Sequence, residues 1–230
     1  VFPREMKAAP LLRRWLQRLR GLGVRLHPRH RLLGVTAGGS APVLRFGTPG
    51  GELQVRADAA LLALGGASWP QLGSDGTWVP MLRQQGIGIA PLRAANCGFD
   101  VAHRDATQGF VAGWSEWFRE RFAGAPLKGV RLHWREPGGQ PSQQLGEFVC
   151  TATGVEGSLV YAASAGIRDS IAAHGSAEVT LDLLPQRDAA AVLQAASHPR
   201  GSRSLSTHLQ SRFGLDPLRR ALLHECLARA

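Results

Sequence analysis

The stretch LLALGGASWPQLGSDG, residues 61–76, decides how the rest of the chain is interpreted. It continues an apolar run, AALLAL at 59–64, that does not alternate with polar residues, which predicts a strand covered on both faces. In α/β sheets, ligands bind at the carboxyl ends of strands, where side-chain-free backbone lets them approach main-chain N–H groups. The stretch therefore predicts a ligand-binding loop; the alternative is a tight strand-to-helix connection that binds nothing.

The loop combines residue types that suit contact with a phosphate or a planar ring. Its four glycines permit positive φ and close approach, Pro70 stiffens the turn, and two serines offer hydroxyl groups. Asp75 is expected to cap a helix that begins near Thr77, and the N-terminus of that helix would favour an anion. The candidate cofactor-contacting residues of the loop are Gly65, Gly66, Ser68, Pro70, Gly73, Ser74 and Gly76.

Composition narrows the class of protein. The 230 residues are 44% hydrophobic, enough for a packed core, yet no apolar stretch is long enough to span a membrane, so no membrane partner is expected. Three cysteines lie far apart without a CxxC pair, which argues against a disulfide framework and a metal site and predicts a cytoplasmic location. The chain opens without Met or a signal peptide, and we expect it to be part of a longer protein.

The formal charge of +10 comes mainly from arginine, which binds phosphate well. An Arg-rich nucleic-acid-binding module without catalysis is therefore the alternative function. However, the densest basic group, at positions 13, 14, 18 and 20, lies on a predicted helix whose other face is apolar, as on a solvated helix. No RNP, zinc-finger or leucine-zipper pattern occurs, so nucleic acid is the less favoured partner.

The pattern of predicted elements changes near residue 93, which predicts two domains, 1–92 and 93–230. The first domain has α/β patterning and the second has α+β patterning. In the first we predict an amphipathic helix over 8–22, strands at 24–28, on both sides of a turn at 48–51 and at 59–64, and a short helix ending at Gly86. In the second we predict strands within 96–101, 130–141, 146–157 and 177–185, and helices over 115–122, 158–175, 188–196, 204–213 and 217–230.

Neither of the common phosphate-loop motifs, GxGxxG or GxxxxGK[ST], occurs in the chain. Four blocks nevertheless resemble, in order, the interior of the BaiN/YhiN-like flavoproteins, a family of NAD(P)/FAD-dependent oxidoreductases. These are VFPREMKAAPLLRRWLQRLRGLGV at 1–24, ADAALLALGGASWPQLGSDGTW at 57–78, GEFVCTATGVEGSLVYAASAGIRD at 146–169 and LDLLP at 181–185. The glycine loop is the most specific of the four.

The resemblance implies an oxidoreductase that transfers hydride through a non-covalent FAD, with NAD(P)H as a candidate electron donor and a small molecule of unknown structure as substrate. Residues 1–92 would be the middle of a Rossmann-like FAD domain, and residues 93–230 an inserted β-barrel-like domain with a helical part. Phe2 and Pro3 would line the isoalloxazine ring. The family's GxGxxG strand and C-terminal flavin motif are not in this chain, so we expect weak or no FAD binding and no activity by the chain alone.

Other side chains have a simpler structural interpretation. Glu156 replaces a serine of the family's GISGP block, and a surface turn is favoured over a role near the flavin. His27 and His30 flank a proline and are predicted to lie in a loop rather than to bind metal. The remaining predictions are a core stripe of Trp114, Trp117 and Phe118, and buried side chains for Cys97, Cys150 and Cys226.

Overall fold

The computed structural model describes residues 4, 6–36, 41–105 and 109–227. Its backbone contacts divide the chain into two compact units, Val1–Leu92 and Arg93–Ala230. We call them unit 1 and unit 2. No helix in the described part of the chain is both long and apolar enough to cross a membrane.

Unit 1 contains one long helix, a three-stranded sheet and a short helix. Helix α1 spans Ala8–Gly21, as the 3.6-residue periodicity predicts. The antiparallel sheet has the order β1-β2-β3, and the predicted turn joins its last two strands, where the Thr48 hydroxyl donates to the Gly51 carbonyl over 2.8 Å. The remaining elements are β1 Arg31–Thr36, β2 Val43–Thr48, β3 Gly51–Arg56 and α2 Trp78–Gln84, which is followed by Gly86 at φ +75°.

Two predicted strands of unit 1 are wrong. Residues 24–28 form no strand, because Pro28 and Arg29 form a turn and pairing starts only at Arg31. Residues 59–64 also form no strand, and Leu61 is 94% exposed. An apolar run becomes a strand only beside a hydrogen-bonding neighbour, and no described strand pairs with 59–64. Because every strand pair of the described residues is antiparallel, the parallel Rossmann-like sheet stays a proposal.

Unit 2 is built on a five-stranded antiparallel sheet of order β10-β7-β8-β9-β4. Each edge strand, β10 and β4, has one neighbour in the described chain, so the predicted barrel is not closed there. A hairpin of β5 and β6 was not predicted. The elements are β4 Phe99–Asp100, β5 Ala102–Asp105, β6 Gly109–Ala112, α3 Glu116–Phe122, β7 Pro126–Arg135, β8 Pro141–Cys150, β9 Gly154–Glu156, α4 Ser158–His174, β10 Thr180–Asp182, α5 Ala189–Ala196, α6 Leu205–Phe213 and α7 Pro217–Leu227.

The core of unit 2 lies between its sheet and helix α4. Buried side chains of α4 pack with apolar residues of β7 and β8, and α3 and α7 contribute further members. Along β7, Val130, Leu132 and Trp134 are buried while Arg131 and His133 between them are only partly buried, which is the alternation expected of a sheet with one covered face. The buried cluster comprises Phe118, Leu127, Val130, Leu132, Trp134, Phe148, Cys150, Leu159, Val160, Ala163, Ile167, Leu218, Ala221 and Leu222.

Candidate functional site

The glycine loop of unit 1 closes on itself as a small hairpin. Trp69 and Ser74 exchange backbone hydrogen bonds of 3.1 and 3.0 Å. Between them, Pro70–Leu72 form a single 3₁₀ turn, which Pro70 starts because its fixed φ suits the first position of a turn. Gly73 then donates to the Pro70 carbonyl over 3.0 Å. The stiffening role predicted for Pro70 agrees with this geometry.

Three of the four glycines have a conformational reason to be glycine. Gly65, Gly73 and Gly76 have φ of +75°, +86° and +69°, a region that L-residues rarely adopt. An added Cβ at Gly76 would also lie 2.9 Å from the Ala67 Cβ. Gly66 is different, because its φ is not positive and an added Cβ would come no closer than 3.8 Å to any atom, here the Ser74 hydroxyl. Neither strain nor packing explains Gly66.

The carbonyl groups of Gly65 and Gly66 at the start of the loop accept hydrogen bonds, whereas the N–H groups of residues 65–68 donate none within the described chain. The Gly76 N–H donates to the Gly66 carbonyl over 3.1 Å, and the Trp78 indole donates to the Gly65 carbonyl over 3.2 Å. Within the described chain, the N–H groups of residues 65–68 donate no hydrogen bond, and these four residues are exposed. They are therefore open to an acceptor. Sequence reasoning missed the role of Trp78, although it directly follows the loop motif.

Asp75 already occupies the position in which an anion was expected. Its carboxylate accepts the Thr77 N–H over 3.1 Å and the Thr77 hydroxyl over 2.7 Å, and it contacts the Arg31 guanidinium at 3.2 Å. The hydrogen bond from the Thr77 hydroxyl, followed by its backbone N–H, lowers the pKa of Asp75, so the group stays charged at neutral pH. The predicted cap is wrong: Thr77 is the N-cap of α2 and has no side-chain cap bond, whereas Asp75, two residues before it, closes an Asx turn onto Thr77.

The glycine-rich block of unit 2 has a packing explanation. An added Cβ at Gly154 would lie 1.9 Å from the Phe99 carbonyl oxygen, and Gly157 has φ +112° immediately before α4. Glu156 is exposed and lies in strand β9 rather than in the expected surface turn. It lines a depression of about 340 Å³ together with Gly98, Phe99, Asp100, Thr151 and Val155.

The other candidate residues divide between core and surface. Cys150 is buried as predicted, but Cys226 is exposed because it lies beside the α7 face that buries Leu218, Ala221 and Leu222; Cys97 is half-buried. Of the predicted core stripe, Phe118 is buried and Trp114 packs against the buried cluster, but Trp117 is 44% exposed, so the prediction is wrong for Trp117. His27 and His30 flank the predicted turn, with ring centroids 5.4 Å apart. Phe2 and Pro3 lie outside the described residues.

Comparison with known proteins identifies unit 2. Residues 93–229, more than half of the chain, match the family model of the HI0933-like protein barrel and H2TH domain. A search of curated proteins returns no match to the chain. The family match agrees with the resemblance inferred from the sequence blocks, although it does not include the glycine loop. The chain therefore belongs to the HI0933-like family, whose members are flavoproteins.

Proposed function

We propose that this chain is part of an FAD-dependent oxidoreductase and that the glycine loop contacts the cofactor. The observation that carries the proposal is that no N–H group of residues 58–68 donates a hydrogen bond within the described chain, and that 65–68, the part of this run inside the loop, are exposed residues. Membership of a family associated with FAD-binding flavoproteins supports FAD as the cofactor. FAD, when bound, supplies hydride transfer through its flavin ring, and the chain supplies binding and orientation.

The residues of the loop fit a neutral acceptor better than a phosphate. The Asp75 carboxylate at the loop's end already pairs with the Arg31 guanidinium at 3.2 Å, so this cation is engaged rather than free to bind a pyrophosphate. The free N–H groups can instead donate to carbonyl oxygens and ring nitrogens, which an isoalloxazine edge presents. Gly66 lets such an edge approach the backbone, and the 61% exposed Trp69 offers an aromatic face for stacking. Substrate and electron donor are not specified by these contacts.

Flavin titration of the purified chain tests this proposal. We expect weak saturable binding, with half-saturation near or above roughly 100 µM, about 5.5 kcal/mol. Riboflavin should compete because it carries the ring, whereas ADP should not. Gly66→Ala should weaken binding about tenfold without changing stability, because its Cβ has room within the chain. Gly138→Ala, whose Cβ would also meet no atom within 4 Å, is the matched control.

Three results would contradict the proposal. Binding of ADP in place of riboflavin would mean that the phosphates, not the ring, are recognised. Equal flavin affinity of the Gly66→Ala variant and the wild type would remove the loop from the site. Absence of saturable binding up to millimolar flavin would remove the four N–H groups as a sufficient basis for contact.

Nucleic-acid binding is the second candidate, and the charge distribution supports it. Residues 1–92 carry 12 Lys and Arg but only 4 Asp and Glu, and α1 has exposed arginines and no acidic residue. Phosphate binding through these arginines would fall steeply with salt. Fluorescence anisotropy with labelled DNA and RNA at two ionic strengths separates the candidates, because flavin-ring binding depends little on salt.

A further inference from the structure

Two N–H groups of the glycine loop have a direction that the rest of the loop fixes. A trans peptide bond is planar, so each N–H points away from the carbonyl of the residue before it. No peptide bond among the described residues is cis. Within residues 58–68, whose N–H groups donate no hydrogen bond in the described chain, only those of Gly66 and Ala67 follow a carbonyl that accepts one there. What holds these two carbonyls therefore sets the direction of the two N–H groups.

Both carbonyls are held by the chain at 76–78, which leads into α2. The Trp78 indole Nε1–H donates to the Gly65 carbonyl over 3.2 Å, and the Gly76 N–H donates to the Gly66 carbonyl over 3.1 Å. The two donors belong to residues only two positions apart, so both carbonyls point toward this part of the chain. The N–H groups of Gly66 and Ala67 therefore point away from it, and both residues are exposed.

Two successive N–H groups on one side of the backbone form a small concavity for an electronegative atom. An extended strand does not offer this, because its successive N–H groups point to opposite sides. The left-handed conformation of Gly65, with φ +75°, belongs to the turns in which such a concavity forms. The loop is also closely packed here, since a Cβ added at Gly76 would lie 2.9 Å from the Ala67 Cβ. Gly66 and Ala67 thus supply a pair of adjacent donors.

We propose that Trp78 is a positioning residue for flavin. Its indole holds the peptide bond between Gly65 and Gly66, so that the Gly66 and Ala67 N–H groups donate together to one carbonyl oxygen of the flavin ring. The inference rests on the proposed function, because it requires a flavin at the loop. It adds which two N–H groups are the donors and which side chain sets their direction. Without the indole N–H, the Gly65 carbonyl is released and this peptide bond can rotate.

Titration with FMN, which carries the flavin ring, tests the role of Trp78. Trp78→Phe keeps an aromatic ring at this half-buried position but removes the donor. We expect the FMN concentration at half-saturation to rise about fivefold, as for the loss of one oriented hydrogen bond. Trp117→Phe is the matched control, because the Trp117 indole donates no hydrogen bond to any described residue and lies in unit 2. Its affinity for FMN should equal that of the wild type.

A double variant distinguishes positioning from a general loss of structure. Gly66→Ala obstructs the approach of the ring to the backbone, so the direction of the N–H groups should then matter little. The variant with both Gly66→Ala and Trp78→Phe should bind FMN about tenfold more weakly than the wild type, as Gly66→Ala does alone. Independent effects would instead multiply to about fiftyfold.

Hydrogen exchange of the indole groups examines the anchoring bond without a ligand. In NMR spectra the Trp78 indole N–H should exchange with D2O at least about fivefold more slowly than that of Trp117, because of these two only Trp78 donates to a carbonyl. This comparison needs no change at Trp78, so it stays decisive if Trp78→Phe does not fold.

The outcomes separate this inference from the proposed function. Equal exchange of the two indoles, unchanged FMN affinity in folded Trp78→Phe, or multiplied effects in the double variant would each overturn the role of Trp78 while the loop remains the flavin site. Absence of FMN binding by the wild type would refute the proposed function, and the positioning role with it.

Discussion

Replacing Gly154 with alanine should detach the edge strand β4 from the sheet of unit 2. An added Cβ would lie 1.9 Å from the Phe99 carbonyl oxygen and 2.7 Å from the Asp100 Cα. Both are backbone atoms of β4, so no side-chain rotation can relieve the overlap. Strand β4 pairs with β9 through Phe99–Val155 and Asp100–Gly154, and this pairing must open.

The size of the effect follows from the hydrogen bonds that would be lost. Opening the pair breaks its ladder and the adjacent bond from the Val101 N–H to the Thr153 carbonyl, which is 3.0 Å long. Three such bonds at about 1 kcal/mol each give a loss of about 3 kcal/mol. Alanine recovers about 0.5–1 kcal/mol by restricting the unfolded backbone. The loss exceeds the gain, so the free energy of unfolding should fall by about 2 kcal/mol, or roughly 8 °C in Tm.

Urea unfolding followed by circular dichroism measures this difference. The matched control is Gly138→Ala, whose added Cβ meets no atom within 4 Å and which should raise the free energy of unfolding by up to about 1 kcal/mol. Equal stability of the two variants would refute the close approach of β4 and β9 as the reason for a glycine at 154.

Four further measurements test other parts of the structure. Ser115→Ala should lower the free energy of unfolding, measured by urea titration, by about 1–2 kcal/mol, because the Ser115 hydroxyl accepts the Phe118 N–H at the start of α3. Ser115→Thr keeps a hydroxyl and should therefore retain most of this stability. Burial raises the pKa of Cys150 to about 11 from an ordinary 9.0, so iodoacetamide at pH 8 should label the exposed Cys226 before Cys150, as peptide mass mapping would show. The stabilisation from keeping Cys150 a neutral thiol is complete below pH 9 and is lost as the pH rises through 11, so stability should fall across that range. Trp15→Gln should leave the unfolding free energy within about 0.5 kcal/mol because Trp15 is 63% exposed, whereas Leu127→Ala should cost about 3 kcal/mol.

Local signals in the sequence were sufficient for most elements of unit 2. Ser115, Asp188 and Ser204 each accept a backbone N–H three residues on and start helices α3, α5 and α6. Gly175 and Gly214 end α4 and α6 in the left-handed conformation. These are contacts within one turn of chain, so residue type and spacing alone predict them.

Burial in unit 1 could not be predicted in the same way. The periodicity of α1 is correct, yet Leu12 and Trp15 on its apolar face are 55% and 63% exposed. The run at 59–64 has the composition of a buried strand but no pairing partner in the described chain. The spacing of apolar residues shows which face of a helix or strand can be buried. Which other element buries that face depends on residues distant in sequence. The errors therefore occur where a prediction required a partner distant in sequence.

The reason for each glycine in the candidate site also depends on contacts that the sequence does not show. The sequence contains four glycines in the loop and several more in the block at 154–166, and it does not indicate the reason for any one of them. The structure separates them, since Gly154 is required by a neighbouring strand and Gly65 by its positive φ. A glycine with either requirement would be needed whether or not a ligand binds. Gly66 has neither requirement, which it shares with Gly138, so a loss of flavin affinity in the alanine variant at 66 and not at 138 would have to come from contact with the ligand. This is why the ligand hypothesis is best tested at Gly66.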